Sequence, residues 1–211
     1  MPVARGGHAR EPFSLPLFPL RTVLFPGGVL PLKVFEQRYI DMTRACMREE
    51  RPFGVCLITE GEDVARPGAA PVRFAALGTL ATIVDFDMPQ QGVLHVMARG
   101  ETRFGVASHA TGPSGLVVAE VTAIPPEPAI PLPERHAPLA RLLQVIAARI
   151  GAGNFPAESR YDDASWVGYR LAELLPLPLA IRQNMLEIND AAVRLAALAQ
   201  YCQRQGLLET P

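Results

Sequence analysis

Residues 124–134 read IPPEPAIPLPE, and five prolines in that stretch let neither a helix nor an inner sheet strand pass through. Fixed φ angles and missing N–H groups favour an extended, semi-rigid connection there. Before it, short apolar runs are separated by Gly and Pro; after it, Ala, Leu, Arg and Gln recur at helical spacing. The chain therefore divides into a strand-rich part over residues 13–124, a linker over 125–133 and a helical part over 134–206.

In the first part, residues 54–61, 77–86, 93–100, 102–109 and 116–124 are rich in Val, Ile, Phe and Thr and read as strands. DMPQQG (87–92) and GPSG (112–115) supply hairpin turns, so an antiparallel, closed or nearly closed sheet follows. One helix interrupts it: Phe35, Tyr39, Met42 and Cys46 repeat as a single apolar stripe that Pro52 stops. In the second part Leu139, Leu142, Leu143, Ile146 and Ile150 form a stripe ended by Gly151 and Gly153. A second helix spans Trp166 to Leu175, and Pro178 suits the first turn of a third reaching Ile188. Asp190 caps a fourth, which turns Ala191, Leu195, Leu198 and Cys202 inward and closes at Gly206. Short connections make these helices an antiparallel bundle. Its predicted buried residues include Leu139, Leu142, Ile146, Trp166, Leu171, Leu174, Leu198 and Cys202.

At 211 residues and 49% hydrophobic, the chain has enough apolar side chains for a sizeable core. Its apolar runs are all broken well short of the roughly 18 residues that span a bilayer, so no membrane association is expected. The start, MPVARGGHAREPF, lacks the apolar centre of a secretory signal. Three widely spaced cysteines, Cys46, Cys56 and Cys202, fit reduced, buried thiols and a cytoplasmic protein. The formal charge of −1 splits into +3 before residue 54, −3 over 54–124 and −1 beyond, which offers no broad electrostatic footprint for nucleic acid.

The sequence carries no pattern that points to catalysis. The single lysine, Lys33, is followed by Val34, so there is no Gly-Lys-Ser/Thr phosphate loop, and nothing pairs Lys33 with a serine. Cys56 with His95 or His109 is a conceivable thiolate pair, but burial as core filler is the better reading. Asp85 with Asp87, and Asp162 with Asp163, suit turns and helix caps. No metal-ligand spacing occurs, and no cofactor is implied.

The opening stretch LPLFPLRTVLFPGGVLPLKVFEQRY (15–39) resembles the start of the Lon protease N-terminal, substrate-binding domain. The series continues in the family's order with FGVCLITEGEDV (53–64), LGTLATI (77–83), ARGETRFGV (98–106) and LVVAEV (116–121). LAELLPLPLAIRQNMLEINDAAVRLAAL (171–198) resembles the helical region of stand-alone members, so the likeness covers about residues 13–206. One departure is Gly28, where the family usually has a bulky residue after the Pro-Gly turn.

This resemblance implies an α+β fold, a PUA-like β pseudobarrel with an embedded helix followed by a C-terminal helical bundle. It also implies a non-catalytic role, binding unfolded or extended polypeptide segments or a protein partner, without the ATPase and peptidase modules of full-length Lon. Candidate contacts are the apolar residues near turns, Phe25 beside Pro26-Gly27-Gly28 and Met88 in DMPQQG. Two alternatives are carried alongside. RNA binding follows from the PUA-like fold class alone and is opposed by the acidic barrel segment. An enzyme with a cleft between barrel and bundle would need Cys56 and His95 to converge on an open pocket.

Overall fold

The computed structural model describes residues 11–61, 72–151, 155 and 158–208. Every second residue of VVAEVTA is buried, namely Ala119, Val121 and Ala123, the period that a half-buried strand requires. That strand, β7 (Val117–Ala123), runs antiparallel to both β1 (Phe13–Leu20) and β6 (Val93–Thr111). β6 pairs with β5 (Leu77–Gln90), β5 with β3 (Phe53–Glu60), and β3 runs parallel to β1, which closes a five-stranded barrel. The expected closed sheet is thus sealed by one parallel pair, Leu17–Leu20 beside Gly54–Leu57. β2 (Val29–Val34) pairs with β6, and β4 (Arg73–Phe74) with β3. Leu15, Leu17, Cys56, Leu80, Phe104, Ala119 and Val121 fill the barrel.

The two strands expected at 93–100 and 102–109 are one, because Gly100 serves a close approach instead of a break. Its N–H donates to the Gly28 carbonyl at 2.8 Å, its own carbonyl accepts from the Gly27 N–H at 2.7 Å, and a Cβ would run into the Phe25 carbonyl. Gly28 is explained by the bundle: the space a side chain would need is taken by the Glu173 carboxylate. Glu173 pairs with the buried Arg170, which donates to the Pro26 carbonyl at 2.8 Å.

The embedded helix, α1 (Gln37–Glu49), packs Tyr39, Met42 and Cys46 against the sheet with Phe18, Phe53, Leu94 and Val96. Phe35 departs from the expected stripe, preceding the helix and lying 53% exposed. The stop comes before Pro52: Glu50 adopts the left-handed conformation (φ 49°) and its N–H caps the Cys46 carbonyl.

The helical part comprises α2 (Ala137–Ile150), α3 (Ala164–Leu174), α4 (Leu179–Glu187) and α5 (Ala191–Arg204), with α3 packed against the other three. Asp163 caps α3 and Asp190 caps α5, each accepting from two backbone N–H groups. Leu139, Leu171, Leu198 and Cys202 are buried, whereas Leu142, Ile146, Trp166 and Leu174 lie only partly covered at its margin. Gly153 lies outside the described residues.

Barrel and bundle share one apolar core. Val23, Phe25 and Leu57 of the barrel side pack among Leu139, Val167, Leu171 and Leu195. The proline-rich segment is likewise tied in. Glu127 accepts from Ser165 Oγ and Tyr169 OH at 2.6 Å each and from Arg194 Nη1 at 3.0 Å, and Arg194 Nη2 also contacts it. Arg103 from β6 lies 3.4 Å from Glu127 and donates to the Leu186 carbonyl at 2.7 Å. Burial alone would raise the Glu127 carboxyl pKa, but bonds from Arg194, Ser165 and Tyr169 hold it below the usual carboxylate range.

Candidate functional site

Pairing of β5 with β3 stops at Ala81, and residues 82–90 of β5 pair with β6 only, among the described residues. The first half of β6 carries β2 on its other side, so β2, β6 and β5 continue past the barrel as a three-stranded arm. Leu30, Ala98 and Ile83 form one cross-strand row and Leu32, Val96 and Phe86 the next, on the face toward α1. α1 covers Leu94, Val96 and Ala98 fully. It leaves the outer strand bare: Val84 is 47%, Phe86 58% and Met88 53% exposed.

Two open grooves meet at Asp85 and Phe86. One, of about 490 Å³, lies between those residues with Thr82–Val84 and the C-terminal end of α1, at Cys46, Met47, Glu50 and Arg51. The other, of about 400 Å³, includes the opposite face, where Pro31, Met97 and Asp85 form a row beside Lys33, His95 and Asp87. Openness and an apolar floor suit a segment of chain better than an enclosed small molecule.

The edges of the arm are blunted against strand pairing. Pro31 has no N–H, so Pro31–Met97 is a non-hydrogen-bonded pair and Met97 bonds across to Asp85. Asp85 and Asp87 therefore turn their N–H groups to β6, and Phe86 and Met88 turn theirs to the free edge. Those two donors are occupied, by the carboxylates of Asp85 at 2.9 Å and Asp87 at 2.8 Å. On the β2 edge, Pro31 removes a donor. Natural sheets blunt exposed edges by such means.

Charge around the α1–β5 groove is unequal. Arg51 and Arg48 are both held by Glu49, whose carboxyl the Arg48 and then the Arg51 contacts keep below the usual range. Glu50 lines this groove, Asp85 borders it from the strand edge where its carboxylate holds the Phe86 N–H, and the C-terminal end of α1 carries the negative pole of the helix.

A family model of the ATP-dependent protease La (LON) substrate-binding domain matches residues 14–204. The chain belongs to that family. A Lon N-terminal domain protein from Xanthomonas campestris, solved by crystallography, is 39% identical with a TM-score of 0.72, over 90% of this chain and 98% of that one. The N-terminal domain of a Mycobacterium avium complex Lon protease shares the fold at 22% identity and a TM-score of 0.61. Among curated relatives, the Lon protease of Anaeromyxobacter dehalogenans (strain 2CP-C) is 36% identical over 96 residues, 45% of this chain and 11% of that protein. Lon protease 1 of Syntrophobacter fumaroxidans (strain DSM 10017 / MPOB) matches over 191 residues at 23% identity, 88% of this chain and 23% of that protein. The chain thus spans a quarter or less of these Lon proteases.

Within this Lon substrate-binding fold, the two candidate contacts separate. Phe25 has no exposed surface; its ring sits 5.8 Å from Tyr169 in the shared barrel–bundle core, so it is corrected from contact to core residue. Met88 is exposed, on β5 itself: the strand runs to Gln90 and the turn is only Gln91-Gly92. Cys56 and His95 do not meet. Cys56 is inside the barrel with its thiol pushed up to about 12 by burial, His95 is on the arm's outer face, and His109 rests on Phe74. Among the described residues no group of three His, Cys, Asp or Glu could hold a metal ion, and no helix is long and apolar enough to cross a membrane. Val84 and Phe86 were missed by sequence reasoning. The available signal was the alternation Val84, Phe86, Met88 with Asp85 and Asp87 between them, which places the apolar residues on one side of an edge strand.

Proposed function

We propose that this chain is a non-catalytic polypeptide-binding protein of the Lon substrate-binding family, and that it captures unfolded or extended apolar segments on the bare β5 face of its arm. The observation that carries the reading is the exposed trio Val84, Phe86 and Met88 on β5, of which Val84 and Phe86 line the α1–β5 groove. Scattered exposed apolar residues are ordinary, but three within five positions of one strand, two of them lining a groove, mark an interaction surface. The sequence supports the absence of chemistry: the only lysine lies on the arm, outside any phosphate loop. Its three free, buried cysteines suit a reducing compartment, the cytoplasm.

Ordering a disordered segment costs conformational entropy, so binding should be micromolar as an order of magnitude. The test is titration of the full chain into a labelled, permanently unfolded protein and into its folded counterpart, with and without ATP. Selective binding of the unfolded form, indifferent to ATP, supports the reading. Equal binding to both forms, or none at about 100 μM chain, contradicts it.

A further inference from the structure

Resting on that polypeptide-binding reading, we propose that the α1–β5 groove selects segments in which an apolar residue neighbours a basic one, and holds them by side chains without adding them to the sheet. Phe86 and Met47 offer the apolar wall. Glu50, Asp85 and the carbonyl end of α1 give the rim a negative field, since the one cation there, Arg51, is held by Glu49. Lys or Arg beside an apolar residue complements that rim; Glu or Asp in its place meets like charge. Strand addition would use both donors and acceptors along β5, and the Asp85 and Asp87 carboxylates already occupy the donors of Phe86 and Met88, leaving at most the carbonyl half of a ladder. A bound backbone therefore contributes little, and the side chains carry the specificity.

The experiment titrates the full chain with three labelled twelve-residue peptides and one unfolded protein. The first peptide alternates Leu or Phe with Lys, the second replaces Lys by Glu, and the third is the first with alternate backbone nitrogens methylated. The expected result is about tenfold preference for Lys over Glu, as two exposed charge contacts allow. Methylation should change affinity less than about threefold. In Glu50→Gln/Asp85→Asn, which keeps the Asp85 side-chain acceptor, binding of the first peptide should weaken toward that of the second, so that the preference falls below about twofold. Equal or tighter binding of the Glu peptide, or a loss beyond about tenfold on methylation, overturns the proposal. If the unfolded protein binds and the peptides are not discriminated, the inference fails and polypeptide binding stands; if nothing binds, both fail.

Discussion

Arg194 of α5 clasps both carboxylate oxygens of Glu127, a residue of the proline-rich segment, while its guanidinium lies 3.9 Å from the centre of the Tyr169 ring. Breaking a buried pair by removing one partner leaves the other charge uncompensated. Glu127→Ala should therefore cost about 3–5 kcal/mol in chemical denaturation.

The same pair sets an acid limit. The folded-state pKa of Glu127 is depressed, so its stabilisation is present above the unfolded carboxylate pKa and disappears as pH falls through the lower, folded one. The stability advantage of the wild type over Glu127→Gln should be constant near neutrality and shrink on acidification. Unfolding curves of both proteins between pH 7 and about pH 3 check this; an advantage that grows toward acid would contradict it.

Gly100→Ala brings a methyl group against the Phe25 carbonyl and Leu24 Cγ, and backbone cannot give way as a flexible side chain does. Destabilisation of about 1–3 kcal/mol is expected, seen as a lower denaturation midpoint. Phe25→Ala should cost about 3–5 kcal/mol for the cavity it leaves between barrel and bundle.

Much of the fold was legible because local chemistry and tertiary demand agree. Asp190 followed by AAVRLAAL announces its own cap and apolar face, and Tyr39, Met42 and Cys46 announce theirs. Two features escaped for one physical reason: the expected strand end at residue 100 and the expected linker over 125–133 hide Gly100 and Glu127, which serve a close approach and a buried pairing with residues distant in sequence. At the candidate site, Phe25 beside a turn and Phe86 within a strand look alike in one dimension. Only the pairing shows that β3 leaves β5 at Ala81, which bares Phe86, while α3 covers Phe25 with Tyr169.

Thiol chemistry offers an independent check on the core. Burial pushes the Cys56 thiol up to about 12 and Cys202 up to about 11. Neither should react with an aromatic disulfide reagent at pH 8 in the native chain, and both should react promptly in denaturant. Fast native labelling of Cys56, mapped by peptide mass, would show the barrel to be open.

The most direct test of the binding account is the affinity of Phe86→Ser/Met88→Ser for an unfolded protein, measured beside the wild type. Both side chains are more than half exposed, so the thermal midpoint should stay within a few degrees, as surface substitutions generally do. Affinity should fall at least about tenfold, the loss expected when two apolar anchors are removed from a small contact. Unchanged affinity in a folded double variant would contradict the account, because the bare β5 face would then take no part in capturing chains.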